Sequence, residues 1–363
     1  MNQTRSRRLY LDWLRGLAVL IMIEAHLIDS WTRAPDRQTR EFAYAMILGG
    51  FGAPLFLFLA GVAVPLSASA KVSRGSSVAA ATKAVARRGL EIFGLAFLFR
   101  IQSWLVSWGP NRGLIKVDIL NIMGPSIALT AALWGVSRTP RTRLIVFCAL
   151  TVAVALLTPV IRAWPALMAL PDPIRAYIAP VPDLSNFVLL PWIGFVFAGA
   201  VVGLLLDDAR TADRERRVNL AFFAGGLALA FAAHRASYSP AVFPHSNYWT
   251  TSASFFLLRL GILVAAIGGA WLWQQRSGGI EKRSPLRQLG RTSLFIYWIH
   301  VEMVYGLISL PLHRSLSWLQ SWLGFVLFTA FMLLCSIAKD RVLTRWRTRR
   351  QLARIDADAA ASA

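Results

Sequence analysis

The chain has 363 residues, of which 56% are hydrophobic and only 16% are charged. Soluble domains carry roughly 25% charged residues, so this composition excludes a soluble enzyme, a disordered chain and a coiled coil. The net charge of +21 would suggest nucleic-acid binding in a soluble protein, but here the basic residues are sorted along the chain as in a membrane protein. We therefore predict an all-α, polytopic membrane protein that binds no nucleic acid.

Ten apolar segments of roughly membrane-spanning length follow one another through the chain. Runs such as GAPLFLFLAGVAV are solidly apolar and lack the period-two alternation of a transmembrane β-barrel. We number them as predicted spans one to ten, at 9–29, 44–69, 89–108, 117–136, 143–161, 186–206, 217–234, 253–273, 292–311 and 318–338.

The loops between these spans alternate between many and few basic residues. With a cytoplasmic N-terminus, 27 of the 39 Lys and Arg lie on the cytoplasmic side, 9 lie outside and 3 lie inside spans. Cytoplasmic loops carry the excess of Lys and Arg, so we predict that both termini are cytoplasmic. We expect one transmembrane domain over residues 1–350, embedded in the lipids of a bacterial cytoplasmic (inner) membrane, and a disordered tail over 351–363.

Several predicted spans contain ionisable groups. Each costs roughly 2.5–3.5 kcal/mol on insertion scales, so such groups indicate a functional site. A purely structural pairing of Asp12 with Arg15, three residues apart, is the competing interpretation for those two. The groups are Asp12, Arg15, Glu24, His26 and Asp29 in span one, Glu91 and Arg100 in span three, Asp118 in span four, Arg259 in span eight, and His300 and Glu302 in span nine; the polar but uncharged Asn121 accompanies Asp118.

The predicted topology sorts these groups by depth. Asp12, Arg15 and Glu91 lie near the inner edge of the membrane. The sequence thus predicts a second polar site on the cytoplasmic side, in addition to a polar cavity that opens outward. The groups predicted between the middle and the outer edge are His26, Asp29, Arg100, Asp118, Asn121, Arg259, His300 and Glu302.

Span one places Arg15 and His26 on one stripe of a helix. The eleven steps between them turn the helix by about 1,100°, which is within about 20° of whole turns, and rise by about 16 Å. Asp29 lies one turn beyond His26 and can reach its imidazole. A histidine oriented by a carboxylate is typical of a general base, but a histidine that only bonds a neighbouring helix would give the same pattern.

The stretch LDWLRGLAVLIMIEAH at 11–26, with Asp-x-x-Arg-Gly at Asp12, Arg15 and Gly16, resembles the first helix of a family of membrane acyltransferases. This is the heparan-alpha-glucosaminide N-acetyltransferase catalytic-domain-like family. Three later stretches are similar to the same family: GAPLFLFLAGVAVPLS at 52–67, LLPWIGFVFAGAVVG at 189–203 and LGRTSLFIYWIHVEMVYG at 289–306. The spacing of Arg15 and His26 also resembles the Arg–His pair of the acyltransferase family 3 proteins, which O-acylate envelope glycans.

The resemblance implies a ten-helix core that moves an acyl group from cytoplasmic acyl-CoA to an acceptor on the far side of the membrane. The implied co-substrate is acetyl-CoA, without a metal, and the implied acceptor is a hydroxyl or amine of a sugar or glycan; no oligomeric state is predicted. Within this acyltransferase interpretation, we predict Asp12 and Arg15 as the residues for acyl-CoA. The polar groups in the predicted spans give the remaining predicted site residues: His26, Asp29, His300 and Glu302 for catalysis, and Arg100, Arg259, Asp118 and Asn121 for the acceptor or the oxyanion.

The chain departs from the family at the implied base. Animal lysosomal members have Asn at the position of His26 and their catalytic His in the loop after helix one, whereas loop 30–43 here contains no His. The catalytic role therefore comes to His26 from the second resemblance only, and His245 and His313 in outer loops are alternatives.

A transporter or flippase, with the same charges along a substrate path, is the alternative function. The sequence shows neither a nucleotide-binding glycine motif nor a pair of broken helices to support it.

Overall fold

Helices make up most of the structure. The computed structural model describes residues 8–107, 110–240, 243–277 and 284–362, is 82% helical and contains no strand in those ranges, which confirms the all-α prediction. The helices of the described residues are α1 (Leu9–Trp31), α2 (Arg40–Gly49), α3 (Gly52–Val72), α4 (Val78–Ser107), α5 (Ile119–Val136), α6 (Pro140–Arg162), α7 (Asp172–Ile178), α8 (Leu189–Asp208), α9 (Ala212–Ala236), α10 (Ala253–Arg276), α11 (Pro285–Arg291), α12 (Ser293–Tyr305) and α13 (Trp318–Ser362).

In the described part of the chain, eight helices are long and apolar enough to cross a membrane. They correspond to predicted spans two to eight and ten, and α2 and α3 together make the first of them over Arg40–Val72. The other two predicted spans carry His26 and His300. Helix α1 has 23 residues but holds four charged side chains, and the 13 residues of α12 reach only about 20 Å of an apolar core about 30 Å thick. The multi-pass architecture is thus confirmed, with eight spans rather than ten meeting length and composition.

The chain divides into two compact units, which we describe separately. The first unit contains Met1–Leu14 and Gly50–Ile280, and the second contains Arg15–Gly49 and Glu281–Ala363. In the first unit, the most extensive packing joins α3 with α8, α4 with α5, α6 with α8 and α9 with α10. One part of its core is built around large, almost fully buried aromatic side chains, namely Trp134, Phe147 and Phe197.

Glycine brings α3 and α8 into direct backbone contact. A Cβ atom at Gly61 of α3 would overlap the carbonyl oxygen of Val196 on α8, and one at Gly199 of α8 would overlap that of Phe58 on α3. Membrane helices associate through such small residues, because lipid provides no hydrophobic drive to bring them together. The family-like stretches 52–67 and 189–203 are therefore the two sides of one helix pair.

The second unit ties the C-terminal end of α1 to the end of α12. Ser30 Oγ and Trp31 Nε1 each donate to the carbonyl oxygen of Val304 at 3.1 Å. A glycine contact also joins α1 to α11, because a Cβ atom at Gly16 would overlap the carbonyl group of Leu286. The glycine of the Asp-x-x-Arg-Gly motif thus permits the close approach of two helices.

Helix α13 is the longest helix of the second unit. It runs from Trp318 to Ser362 and so includes almost all of the segment 351–363 for which the sequence predicts a disordered tail. Alanine is frequent there, and it is the best helix former among the amino acids.

Candidate functional site

His26 and His300 form a hydrogen-bonded pair in the second unit. Nδ1 of His26 on α1 lies 2.8 Å from Nε2 of His300 on α12. The ring planes differ by only 4° and the ring centroids are 5.1 Å apart, so the rings meet through their nitrogen-bearing edges. His300 is completely buried, whereas His26 is partly exposed. The pair thus joins a partly exposed imidazole to a fully buried one.

Tyr305 and Asp29 border the exposed side of this pair. The Tyr305 ring lies edge-on to the His26 imidazole, with 5.5 Å between the centroids. The Tyr305 hydroxyl is 3.5 Å from Oδ2 of Asp29, and the Asp29 side chain is 41% exposed. Together they give the surroundings of His26 one hydroxyl and one carboxylate that solvent or a polar substrate can approach.

Arg37, in the loop after α1, holds the Asp29 carboxylate. Its Nη2 lies 2.8 Å from Oδ1 of Asp29, its Nη1 donates to the Asp29 backbone carbonyl, and its guanidinium stacks 4.6 Å from the Phe42 ring centroid. The sequence predicts that Asp29 orients the imidazole of His26. In the structure, the Asp29 carboxylate is engaged by Arg37, and His300 is the group bonded to Nδ1 of His26.

The loop that carries Arg37 is anchored to the start of α13. Oδ2 of Asp36 accepts a hydrogen bond from the backbone N–H of Trp318 at 2.7 Å and from Nε of Arg33 at 3.0 Å. The Arg33 guanidinium holds the pKa of Asp36 below its usual value. A negative charge is also favourable at the N-terminus of a helix. These contacts anchor the part of the loop that directly precedes Arg37.

The two histidines predicted as alternative bases lie elsewhere. Nε2 of His313 is 3.0 Å from the carbonyl oxygen of Val304, which can only accept a hydrogen bond. That nitrogen therefore carries a hydrogen and offers no lone pair. His245 is exposed in a turn of the first unit. Neither histidine has the partly exposed, imidazole-bonded surroundings of His26.

Glu302 lies on α12, two residues after His300. Two residues turn a helix by about 200°, so the two side chains leave α12 on nearly opposite sides. Glu302 is partly buried, and its backbone carbonyl accepts the Gly306 N–H at 2.8 Å where α12 ends. A catalytic role for Glu302 stays a prediction.

In the first unit, Arg100, Asp118 and Asn121 come together at the start of α5. Oδ1 of Asp118 accepts the backbone N–H of Ile119 at 2.7 Å, and Oδ1 of Asn121 accepts the backbone N–H of Asp118 at 2.9 Å. The Asp118 side chain also accepts the backbone N–H of Asn121, and this bond and the Asn121 bond to the Asp118 N–H form a capping box, which satisfies donors that the first turn of a helix leaves open. Nη2 of Arg100 pairs with Oδ2 of Asp118 at 2.6 Å. The three residues thus stabilise the helix start, and their predicted role toward an acceptor or oxyanion stays a prediction.

The remaining predicted site residues are Arg259, Asp12 and Arg15, which we describe one by one. Arg259 lies on α10 in the first unit, where its guanidinium stacks 4.0 Å from the Phe255 ring centroid. Its Nε has no hydrogen-bond partner within the described ranges. On α1, Asp12 is buried in the first unit and Arg15 is partly exposed in the second.

A groove of about 390 Å³ opens beside α11 in the second unit. Nε2 of Gln288 donates to the Asp340 carboxylate at 2.9 Å. The cationic groups that line the groove are the guanidinium groups of Arg341 and Arg345. Leu286, two residues before Gln288, is the residue that contacts Gly16, so Arg15 and the groove flank the same contact between α1 and α11. The lining residues are Gln288, Ile337, Asp340, Arg341, Thr344 and Arg345.

Sequence reasoning missed Arg37 and Tyr305. The predicted topology puts Arg37 in an outer loop, and only its positive charge near Asp29 in the sequence indicates the ion pair. Tyr305 lies at the end of the family-like stretch 289–306, where an amphipathic aromatic side chain is not distinctive. The described residues contain no group of three or more His, Cys, Asp or Glu that could hold a metal ion.

The family model described as heparan-alpha-glucosaminide N-acetyltransferase, catalytic, matches residues 7–236. The match includes α1 with His26 and the α3–α8 pair, and it ends before α10 and α12. No curated protein matches the chain. Because the family match covers more than half of a multi-pass helical protein, the chain belongs to the heparan-alpha-glucosaminide N-acetyltransferase catalytic-domain family and is a membrane acetyltransferase.

Proposed function

We propose that this membrane acetyltransferase takes its acetyl group from cytoplasmic acetyl-CoA and transfers it to a hydroxyl or amine of a sugar or envelope glycan on the outer side. The observation that carries the proposal is the pair of His26 and His300, in which an accessible imidazole is bonded to a buried one. Histidine is the most frequent general acid–base residue, and the transfer needs such a group.

His26 takes the proton of the acceptor. The acceptor oxygen or nitrogen bonds to the thioester carbonyl carbon while its proton passes to the imidazole, and the C–S bond then breaks. The departing CoA thiolate receives that proton and leaves as the thiol, so the imidazole is restored. In the alternative route, an imidazole nitrogen bonds to the thioester carbonyl carbon and the C–S bond breaks, which releases the CoA thiolate. In a second step the acceptor displaces the ring from the acetyl group, so the neutral imidazole is restored, and the proton of the acceptor passes to the thiolate.

The donor binds at the cytoplasmic side. Three guanidinium groups support this proposal: Arg15 on α1, and Arg341 and Arg345 in the groove beside α11. Guanidinium groups bind phosphate through paired, charge-assisted hydrogen bonds, and CoA carries several phosphate groups. The charge distribution of the loops supports a cytoplasmic position for these three residues.

The acceptor binds on the outer side, where the same charge distribution puts His26. The exposed Asp29 carboxylate and Tyr305 hydroxyl support a polar acceptor, because they offer hydrogen-bond acceptors and a donor to sugar hydroxyl or amine groups. The loop bias and the apolar helices support a location in the cytoplasmic membrane of a bacterium, surrounded by its lipids.

The test uses purified protein in sealed vesicles with labelled acetyl-CoA inside and a panel of amino sugars and neutral sugars outside. We expect CoA thiol to accumulate inside while acetylated sugar appears outside, and neither to form in empty vesicles. Absence of thiol release and of acetylated product with every acceptor would overturn the proposal. Accumulation of unmodified sugar across the membrane without thiol release would instead support the transporter alternative.

A further inference from the structure

We propose that His300 is a positioning residue that keeps the hydrogen of His26 on Nδ1 and so makes Nε2 of His26 the reacting nitrogen. The catalytic consequence rests on the proposed function, but the placement of the hydrogens follows from geometry alone.

The first step concerns His300. Its Nδ1 lies 2.8 Å from the carbonyl oxygen of Ile296, one turn earlier on α12. A carbonyl oxygen only accepts hydrogen bonds, so Nδ1 of His300 must carry a hydrogen. A buried charge is stable only beside a compensating one, and the bonded neighbours of this ring are backbone carbonyls and another imidazole. His300 is therefore neutral, and its Nε2 holds a lone pair.

The second step concerns His26. The lone pair on Nε2 of His300 faces Nδ1 of His26 at 2.8 Å, so Nδ1 of His26 is the donor in this bond. In its neutral form, which is the form that acts as a base, His26 carries one N–H, so its Nε2 then holds an in-plane lone pair. The nearly coplanar rings suit this bond, because the lone pair of an imidazole nitrogen lies in the ring plane.

The consequence is that one tautomer of His26 is selected. Without a partner at Nδ1, the hydrogen of an imidazole exchanges between the two nitrogens, and the ring is a base at Nε2 for only part of the time. Both routes of acetyl transfer need the Nε2 lone pair, either to take the acceptor proton or to attack the thioester. His300 is completely buried and cannot touch the substrate, so it acts only through His26.

A matched pair of variants tests the role. In His300→Gln the amide lies near the former Nε2 and its oxygen can accept from His26, whereas in His300→Asn the shorter amide reaches only toward the Ile296 carbonyl. Loss of correct base orientation should lower kcat in His300→Asn by about 10²-fold, with KM for acetyl-CoA unchanged. His300→Gln should stay within about tenfold of the wild type. Equal kcat in the two variants would overturn the proposal.

A second measurement does not depend on activity. Nitrogen-15 NMR of the histidine-labelled full-length protein, with His26 assigned by its absence in His26→Gln, reads the tautomer directly. We expect a protonated Nδ1 and an unprotonated Nε2 in the wild type and in His300→Gln, and a mixture in His300→Asn. An unprotonated Nδ1 in the wild type would overturn the proposal even if acetyl transfer is active. The expected tautomer in a protein without acetyl transfer would overturn the proposed function instead.

Discussion

Nη2 of Arg100 lies 2.6 Å from Oδ2 of Asp118, and each side chain is only 13% exposed. This is an ion pair in a poorly solvated place, where the mutual attraction offsets the cost of removing both charges from water. Removing one member leaves the other charge poorly compensated, whereas removing both removes the cost as well.

We expect Asp118→Asn to lower the free energy of unfolding by about 3–5 kcal/mol, although asparagine can still cap α5. The double variant Arg100→Met with Asp118→Asn should lose less than this single variant, because no unpaired guanidinium remains. Thermal unfolding in detergent measures both. A double variant less stable than Asp118→Asn would contradict a dominant ion pair.

Gly16 tests the contact between α1 and α11. Gly16→Ala should destabilise the protein by about 1–3 kcal/mol, because the added methyl group overlaps the Leu286 carbonyl and the helices must separate. Gly94→Ala on α4 is the matched control, since nothing lies within 4 Å of its added Cβ. The control should be neutral or stabilising by about 1 kcal/mol. Equal melting temperatures for the two variants would refute the close approach at Gly16.

Glu24 is expected to lower the free energy of unfolding. It is 2% exposed, and within the described ranges neither carboxyl oxygen has a hydrogen-bond partner. Glu24→Met should raise the free energy of unfolding by about 1–3 kcal/mol, because it removes an unsatisfied buried polar group at similar volume.

The matched control for Glu24 is Glu91→Met on α4. The Glu91 side chain is 46% exposed and lies 3.2 Å from both Arg87 and Arg88. Exposed pairs contribute little, so the control should change stability by less than about 1 kcal/mol. If Glu24→Met unfolds at a lower temperature than the wild type, Glu24 has a stabilising partner.

Arg15 tests the donor side. A ligand present at a hundred times its Kd stabilises the folded state by about 2.7 kcal/mol, so CoA should raise the melting temperature of the wild type. Arg15→Ala should fold but gain much less from CoA. A purely structural pairing predicts instead that Asp12→Ala and Arg15→Ala are equally destabilised, with or without CoA. Full protection of Arg15→Ala by CoA would remove Arg15 from the donor site.

Much of the fold could be predicted from the sequence, because membrane helices are encoded locally. Each span is a mostly apolar run of residues, and the excess of Lys and Arg in cytoplasmic loops can be counted for each loop separately. Two predicted spans are not long and apolar enough to cross a membrane by length and composition: α1, with its four charges, and the short α12. Both depart from the membrane-helix pattern and both contribute a histidine to the candidate site.

The arrangement of the site could be predicted only in part. The shared depth of His26 and His300 follows from the topology, but their hydrogen bond joins residues 274 positions apart. The local spacing predicts that Asp29 lies within reach of His26. In the structure, Arg37 of the following loop forms an ion pair with the Asp29 carboxylate. Asp118 and Asn121 show the opposite case. Their spacing of three residues before an apolar run is a signal for the start of a helix. Because both residues also lie inside a predicted span, the sequence suggests a functional site at the same position.

The most direct test of the central claim is acetyl transfer by His26→Gln. An amide can hydrogen-bond but cannot take a proton at neutral pH, so we expect the rate to fall by about 10²–10⁴-fold while CoA binding persists. His245→Gln, the same substitution at an exposed histidine of the first unit, should keep the wild-type rate. Acetyl transfer by His26→Gln within tenfold of the wild type would contradict the account.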